Sequence, residues 1–329
     1  MLRFILRRSL SSVFILAVVS LVTFLLFFAV PGDPGRLSCG KICTPAKLAE
    51  IHHNLGLDRP IQVQYGDYMK GIVVGRDVTE SGDTQHCGAP CFGYSFVNHQ
   101  PVWQTFIDRF PATASLAIGS ALMFLLGGVG LGMVSAIYRG RALDKFAIGL
   151  SLTGASLQIY FIGIVARAFF VDKLQWLPQP GYTPLTENPG KWFAGLLLPW
   201  LVLAFVNAAL YARLSRASMV EALQEDFVRT GRARGLSRRS IYVKHAGRAA
   251  ISPIITIFGL DLAGLLGGAI ITETVFSIHG VGQLAINSVF ASDLPMIMAT
   301  VLLAAFVIVI ANLLVDIAYA AIDPRVRIS

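Results

Sequence analysis

Residues 211–253 read YARLSRASMVEALQEDFVRTGRARGLSRRSIYVKHAGRAAISP, a polar, arginine-rich, helix-prone stretch with long apolar segments on both sides. Charged side chains deep in a bilayer are costly. The stretch cannot lie in lipid, so it must project from a membrane as a folded unit whose task is to meet another protein. The composition agrees. Of 329 residues, 55% are hydrophobic and 14% charged, against about 25% charged in a soluble domain. The net charge of +8 comes from short basic blocks between apolar runs. That is the positive-inside pattern of a polytopic membrane protein, and no nucleic-acid partner is expected.

Outward from this stretch, the apolar runs predict six transmembrane helices. The first covers about Leu10–Val30. Its apolar run is too long for a signal peptide, whose apolar region has roughly 7–15 residues, while a span needs about 20. Arg3, Arg7 and Arg8 hold its start in the cytoplasm, and Pro31 and Pro34 end it. Residues 31–104 are expected to form a small extracytoplasmic cap, with helices at Pro45–Leu55 and Pro60–Val73. Further spans are expected at about Pro111–Ile137, Phe146–Val171, Phe193–Tyr211, Ile254–Thr272 and Met296–Ala321. Gly127, Gly128, Gly130 and Gly132 in the second span, and Gly259, Gly264, Gly267 and Gly268 in the fifth, let helix backbones approach closely. The loops placed inside carry most of the Lys and Arg, which puts both termini in the cytoplasm. The chain thus divides into residues 1–30, the cap 31–104, and a core 105–329 that carries the central loop at about 212–252.

Between Glu221 and Arg248 the periodicity is helical, broken at Gly235-Leu236-Ser237. Glycine ends a helix in the left-handed conformation and serine caps the next one. The expected product is a helix–turn–helix knob. Phe227, Leu236, Ile241 and Val243 offer it an apolar contact surface, ringed by Arg229, Arg232, Arg234, Arg238 and Arg239. A loop that merely binds anionic lipid would look the same by these features alone.

The run EDFVRTGRARGLSRRSIYVKHAGRAAISP at 225–253 resembles the cytoplasmic EAA-type loop of bacterial ABC-importer permeases, in particular the B-type subunit of the dipeptide/oligopeptide/nickel family. PGDP at 31–34, LGLDRPIQVQY at 55–65, FPATASLAI at 110–118, ETVFSIHGVGQL at 273–284 and NLLVDIAYAAIDPRVR at 312–327 are similar to further family segments, in the same order. Arg229-Thr230-Gly231 stand where Glu-Ala-Ala would be in the wider EAA pattern, and the B-type group also lacks the literal triplet. The resemblance implies a type I ABC importer fold in a bacterial plasma membrane. It implies that the loop docks into a cleft of an ATPase, with Glu221, Asp226, Arg229, Arg232, Gly235, Leu236, His245, Arg248 and Pro253 at the matching positions. It also implies a second related permease, two ATP-binding cassette subunits and an extracytoplasmic substrate-binding protein as partners, besides membrane lipid. No G-x-x-x-x-G-K-[ST] phosphate loop occurs here. The chain is therefore expected to bind no cofactor and to catalyse nothing by itself, with ATP and Mg held by the partner ATPases.

One departure from the family is an extra stretch between Gly75-Arg76-Asp77 and Gly93-Tyr94-Ser95, which contains Cys87 and Cys91. Cys39 and Cys43 lie earlier in the same cap. An exported compartment favours disulfides. Of the three connectivities, bonds between the two C-x-x-x-C pairs are expected, pinning the insertion to the start of the cap. A metal site using these thiols with His52, His53, His86 or His99 is the competing reading.

Within the spans, Arg167 and Asp316 sit near helix ends. Asp261 sits midway along the fifth span and either lines the translocation path or bonds to a neighbouring helix. The reading that follows is a permease subunit of an ATP-driven, binding-protein-dependent peptide importer. A nickel or other small-solute importer is the alternative within the family, and an ion-coupled secondary transporter the alternative outside it. The helices carry no His or Met cluster for nickel.

Overall fold

The computed structural model describes residues 2–29, 33–39, 43–80, 83–95 and 97–322. The expected helix stop at Pro31 and the tail at 323–329 lie outside them. In chain order the helices begin with α1 (Leu2–Phe28), α2 (Pro34–Ser38), α3 (Pro45–Leu55) and α4 (Ile61–Val74). A hairpin of β1 (Arg76–Glu80) and β2 (Asp83–Cys87) follows, paired antiparallel with Arg76 opposite Cys87. Then come α5 (Val102–Ile137), α6 (Ala142–Ser156), α7 (Ile159–Arg167), a π-helical turn at Ala168–Lys173 and α8 (Pro189–Ala222). After α9 (Asp226–Ala233) a second π segment, Ser240–Ala246, runs into α10 (Gly247–Leu266). The chain closes with α11 (Ile270–Val275), α12 (Val281–Ala291) and α13 (Leu294–Ile322).

Among the described residues, four helices are long and apolar enough to cross a membrane, or up to six if each of two bent pairs is one span. The third segment departs from expectation. It is no straight helix: α6 and the α7–π segment meet at 100°. Leu157 and Gln158 are both extended, and no proline or glycine marks the break. The fifth segment bends by 51° between Ile251 and Pro253, where proline removes a backbone donor. The loop expected at 273–295 is also largely helical, as α11 and α12. The all-α class expected from the six apolar runs holds in that the chain is mostly helical, and the inserted stretch adds a β-hairpin.

The chain forms two compact units. The first comprises residues 1–113, 266–270 and 279–313. In it, α3 starts at Thr44, whose hydroxyl accepts from the Lys47 amide, with Pro45 in the first turn where its missing N–H costs nothing. Phe92, Phe106, Val281, Met296 and Leu303 form one core, and Phe24, Tyr68, Leu294 and Met298 another. Ser95, fully buried, donates to the carboxylate of Asp293, while Thr113 Oγ1 accepts from the Val281 amide at 2.8 Å. These two bonds join both ends of the 95–113 stretch to the segment around α12.

The second unit comprises residues 114–265, 271–278 and 314–329. Gly128 and Gly132 of α5 lie directly against α8. A Cβ at Gly132 would come within 2.4 Å of the Ala212 carbonyl oxygen, and one at Gly128 within 2.9 Å of that of Ala208. Gly127 and Gly130 face open space. The four expected small residues thus divide into a packed pair, four apart on one face, and an idle pair.

The cysteines also correct an expectation. Cys39 bonds Cys43 and Cys87 bonds Cys91, with Cα separations of 5.2 and 5.6 Å. Both fall within the range a disulfide spans, and each bridge is local rather than joining the two pairs. Non-reducing proteolytic mapping of the full-length protein should therefore recover Cys39–Cys43 and Cys87–Cys91 peptides. Peptides joining residue 39 or 43 to 87 or 91 would contradict this pairing.

Candidate functional site

α8 continues well past its apolar portion, to Ala222, and a short turn leads into α9. Gly235, at φ +77, takes the left-handed conformation that ends α9. Its amide donates to the Arg232 carbonyl at 3.0 Å and the Leu236 amide to that of Gly231 at 3.1 Å. This is the double bond pattern of a Schellman cap. Ser237 then opens the next helical segment: its hydroxyl accepts from the Ser240 amide at 3.3 Å. The result is helix, turn, helix.

One side of this knob is buried. Val228, Ile241 and Ala246 pack with Ala136 of α5, Met219 and Ala222 of α8, and Ala250 of α10. Ile241, expected on the contact surface, is only 3% exposed and belongs to this core. The other side is open. Glu221 at the end of α8, Asp226, Arg229 and Arg232 on α9, and Gly235 and Leu236 in the turn are all exposed. So are His245 in the π segment, Arg248 in α10 and Pro253. Phe227 and Leu236 are exposed too, and Val243 is 67% exposed. The ion pair of Arg229 with Asp226, at 3.4 Å, is a surface pair that contributes little. The exposed face therefore combines three large apolar side chains with a ring of arginines.

Besides the bond from Trp200 Nε1 to the Ser115 carbonyl of α5 at 3.0 Å, two contacts of carboxylates tie α8 to its neighbours, and sequence reasoning missed most of their residues. Asp144, in the first turn of α6, is buried. It accepts from Arg216 of α8 at 2.7 and 3.0 Å, from Ser135 of α5, and from the Gly140 amide at 2.9 Å. One carboxylate thus joins α5, α6 and α8. In the sequence Asp144 stands among Arg139, Arg141 and Lys145, a basic cluster that fits an inside turn and draws no notice to the acid. Arg216 read as one more inside cation. Five residues earlier on α8, the Tyr211 hydroxyl donates to Asp261 of α10 at 2.7 Å. Asp261 thus bonds to a neighbouring helix, one of the two roles expected for it. Tyr211 also packs on Phe124 of α5, with ring centroids 4.9 Å apart. Arg167 donates to the Val275 carbonyl at 3.3 Å.

The metal reading of the cap gains nothing. His52 bonds Asp33 at 2.9 Å and His86 bonds Asp77 at 2.7 Å. Among the described residues no group of three or more potential ligands comes together.

Residues 1–117 match the family described as the N-terminal part of binding-protein-dependent transport system membrane components. Residues 128–328 match the binding-protein-dependent transport system inner membrane component itself. The chain belongs to this family of inner-membrane transport components. It is a multi-pass protein of the bacterial inner membrane, a permease subunit and not itself an enzyme. A probable peptide ABC transporter permease protein of Sinorhizobium fredii is 34% identical over 98% of this chain and 99% of the relative. A putative peptide transport system permease protein of Brucella abortus is 34% identical over 98% of each. A glutathione transport system permease protein of Salmonella typhimurium is 35% identical over 99% of each. Among solved structures, a chain of the inward-facing MetNI methionine ABC transporter superposes with a TM-score of 0.55 at 16% identity. The match covers 68% of this chain and 99% of that one, and shows a shared type I importer permease fold.

For this permease the Asp144 contact makes a measurable claim. Arg216→Ala leaves a buried carboxylate without its cation, at a cost of about 3 kcal/mol. The thermal unfolding midpoint in detergent should fall accordingly. The double variant Asp144→Asn/Arg216→Gln should lose less than the sum of its singles. Additive losses would show that the two residues do not act as a pair.

Proposed function

We propose that this chain is one of two related permeases in an ATP-driven importer of short peptides. Two ATP-binding cassette subunits lie on its cytoplasmic side and hold the ATP and Mg. An extracytoplasmic binding protein delivers substrate. Both termini are cytoplasmic, six spans cross the membrane, and residues 31–104 form the extracytoplasmic cap, stapled by its two local disulfides. The peptide cargo rests on the relatives, which are named for peptides and for glutathione, itself a tripeptide.

The observation that carries the reading is the two-sided knob at 221–248. Its buried side is built into α5, α8 and α10, while Glu221, Asp226, Arg229, Arg232, Gly235, Leu236, His245 and Arg248, which the resemblance implies for docking, are all exposed. An ATPase that closes against the open side pushes on α8. Through Arg216 and Tyr211, α8 bears on α5, α6 and α10. Such a rigid linkage suits a subunit whose work is to switch a path between two facings. A loop that only attracted lipid headgroups would need the arginines but not the capped turn or the packed inner side.

Two variants test the coupling. Gly235→Val places a β-branched residue in the left-handed region, at a cost of roughly 1–2 kcal/mol, and so disturbs the turn. Arg232→Glu reverses a charge on the open face and leaves the core alone. In the reconstituted transporter both should cut peptide-stimulated ATP hydrolysis and uptake by about tenfold. Wild-type uptake by Arg232→Glu and Gly235→Val alike would rule out this face as the coupling element.

For Asp261 the proposal is a second role, as a polar wall of the translocation path. Asp261→Asn keeps an acceptor for Tyr211 while removing the charge. Peptide uptake should drop with subunit assembly unchanged; full uptake would leave Asp261 as a helix-to-helix contact alone.

A further inference from the structure

Within the first unit, the segment between α1 and α5 encloses a cavity of about 500 Å³ together with the end of α1 and the start of α13. Part of its lining is apolar, including Phe24 and Met298. Against this stand Tyr68 of α4 and Arg76 at the base of the hairpin. The Tyr68 side chain is 7% exposed. Its hydroxyl and the Nε of Arg76 are both buried, and neither has a hydrogen-bond partner among the described residues. The guanidinium lies over the Tyr68 ring, 5.8 Å from its centroid. Three carboxylates line the cavity: Asp67 pairs with Arg59 at 2.6 Å and Asp77 with His86 at 2.7 Å, and among the described residues none of these, nor Asp58, forms an ion pair with Arg76.

Arg76 is half-buried, and its Nε is out of water with no partner among the described residues; a cation so placed is costly unless something pairs with it. The surroundings make room for this one. A Cβ at Gly93 would stand 2.8 Å from Arg76 Nη2, and one at Gly71 would stand 3.0 Å from its Cδ. The side chain is thus threaded past two positions that carry no side chain of their own. Burial lowers the pKa of the Arg76 guanidinium and raises that of the Tyr68 phenol. The phenol keeps its proton at neutral pH, and arginine remains charged in proteins, so both groups face the cavity as donors.

We propose that this cavity binds a phosphate oxyanion, with Arg76 as its charge partner and the Tyr68 hydroxyl as a second donor. Arginine presents a fork of N–H groups that suits phosphate. The location sets the sources. The apolar runs Leu6–Phe28 and Leu294–Ile317 end and begin at this cavity, which is the level at which a bilayer's headgroups start. A phospholipid headgroup and free phosphate both have access there, and the apolar lining accommodates the first acyl carbons of a lipid. This inference does not depend on the cargo of the importer, since it concerns the isolated chain.

The test uses the full-length chain in two arms. In one, it is reconstituted in nanodiscs of mixed phosphatidylglycerol and phosphatidylcholine, and the phospholipid it retains on release is counted by native mass spectrometry. In the other, the delipidated chain in detergent is titrated with inorganic phosphate. Arg76→Gln should weaken binding in at least one arm by roughly tenfold or more, and Tyr68→Phe by about threefold. Arg76→Lys, which keeps the charge, should fall between. Loss confined to the lipid arm assigns a headgroup, and loss confined to the titration assigns free phosphate. Wild-type behaviour of a folded Arg76→Gln in both arms overturns the proposal. Should that variant fail to fold, unchanged binding by Tyr68→Phe and Arg76→Lys overturns it equally.

Discussion

A carboxylate taken out of water must find compensation, and at Asp144 that requirement organises the second unit. Four donors meet at its two oxygens: two from one guanidinium, one from a serine and one from a backbone amide. They come from α5, from α8 and from the turn before α6. None of these elements can shift alone without leaving part of the charge unsatisfied. In a lipid environment, where apolar surface gives helices little reason to associate, such a polar tie specifies which helices meet and at what height. The Gly128 and Gly132 face then lets α5 and α8 approach to backbone contact. Packing and charge therefore fix the same pair of helices independently.

α8 is continuous, and it carries both carboxylate ties to the neighbouring helices. Its 34 residues run from Pro189, behind the capping side chain of Asn188, to Ala222 before the turn into α9. Along that length it meets Asp261 through Tyr211 and Asp144 through Arg216 before reaching the knob. The segments beside it are broken instead: α6 bends into α7 at two extended residues, and π-helical turns occur at Ala168–Lys173 and Ser240–Ala246. π-helical turns recur at functional positions because they loosen the regular ladder of backbone bonds. α8, unbroken from Pro189 to Ala222, is thus flanked by jointed segments.

Much of this was legible in the sequence, for identifiable reasons. Hydropathy located the long helices, because an apolar run of about 20 residues has few other uses. Pro45, Gly56 and Pro60 punctuated the cap, and Gly235 with Ser237 marked the turn in the knob, because each residue type there answers a specific backbone need. Other features left no such mark. The break at Leu157-Gln158 involves neither proline nor glycine. The hairpin occupies a short polar insertion without apolar alternation. Ile241 carries no sign of which way a helix turns once it leaves the membrane. Asp144 and Arg216 lie 72 residues apart, and only the packing of α6 on α8 makes them partners. The cavity beside Arg76 was hidden for the same reason, since its walls come from α1, α4, the hairpin and α13.

The hairpin at 76–87 has one more consequence, concerning where this chain can change length. Its base is closed twice, by the pairing of Arg76 with Cys87 and by the bond from Cys87 to the fully buried Cys91. Everything beyond that base hangs from a fixed frame. Residues added between Glu80 and Asp83 would enlarge a loop whose ends are already held together, and the entropy of such a loop grows only logarithmically with its length. The closed base of the ribbon thus lies at Arg76 and Cys87. Between those points the chain is free to lengthen, shorten or diversify without disturbing the membrane helices, which makes the ribbon the natural place for lineages to differ and for a reporter group to be inserted.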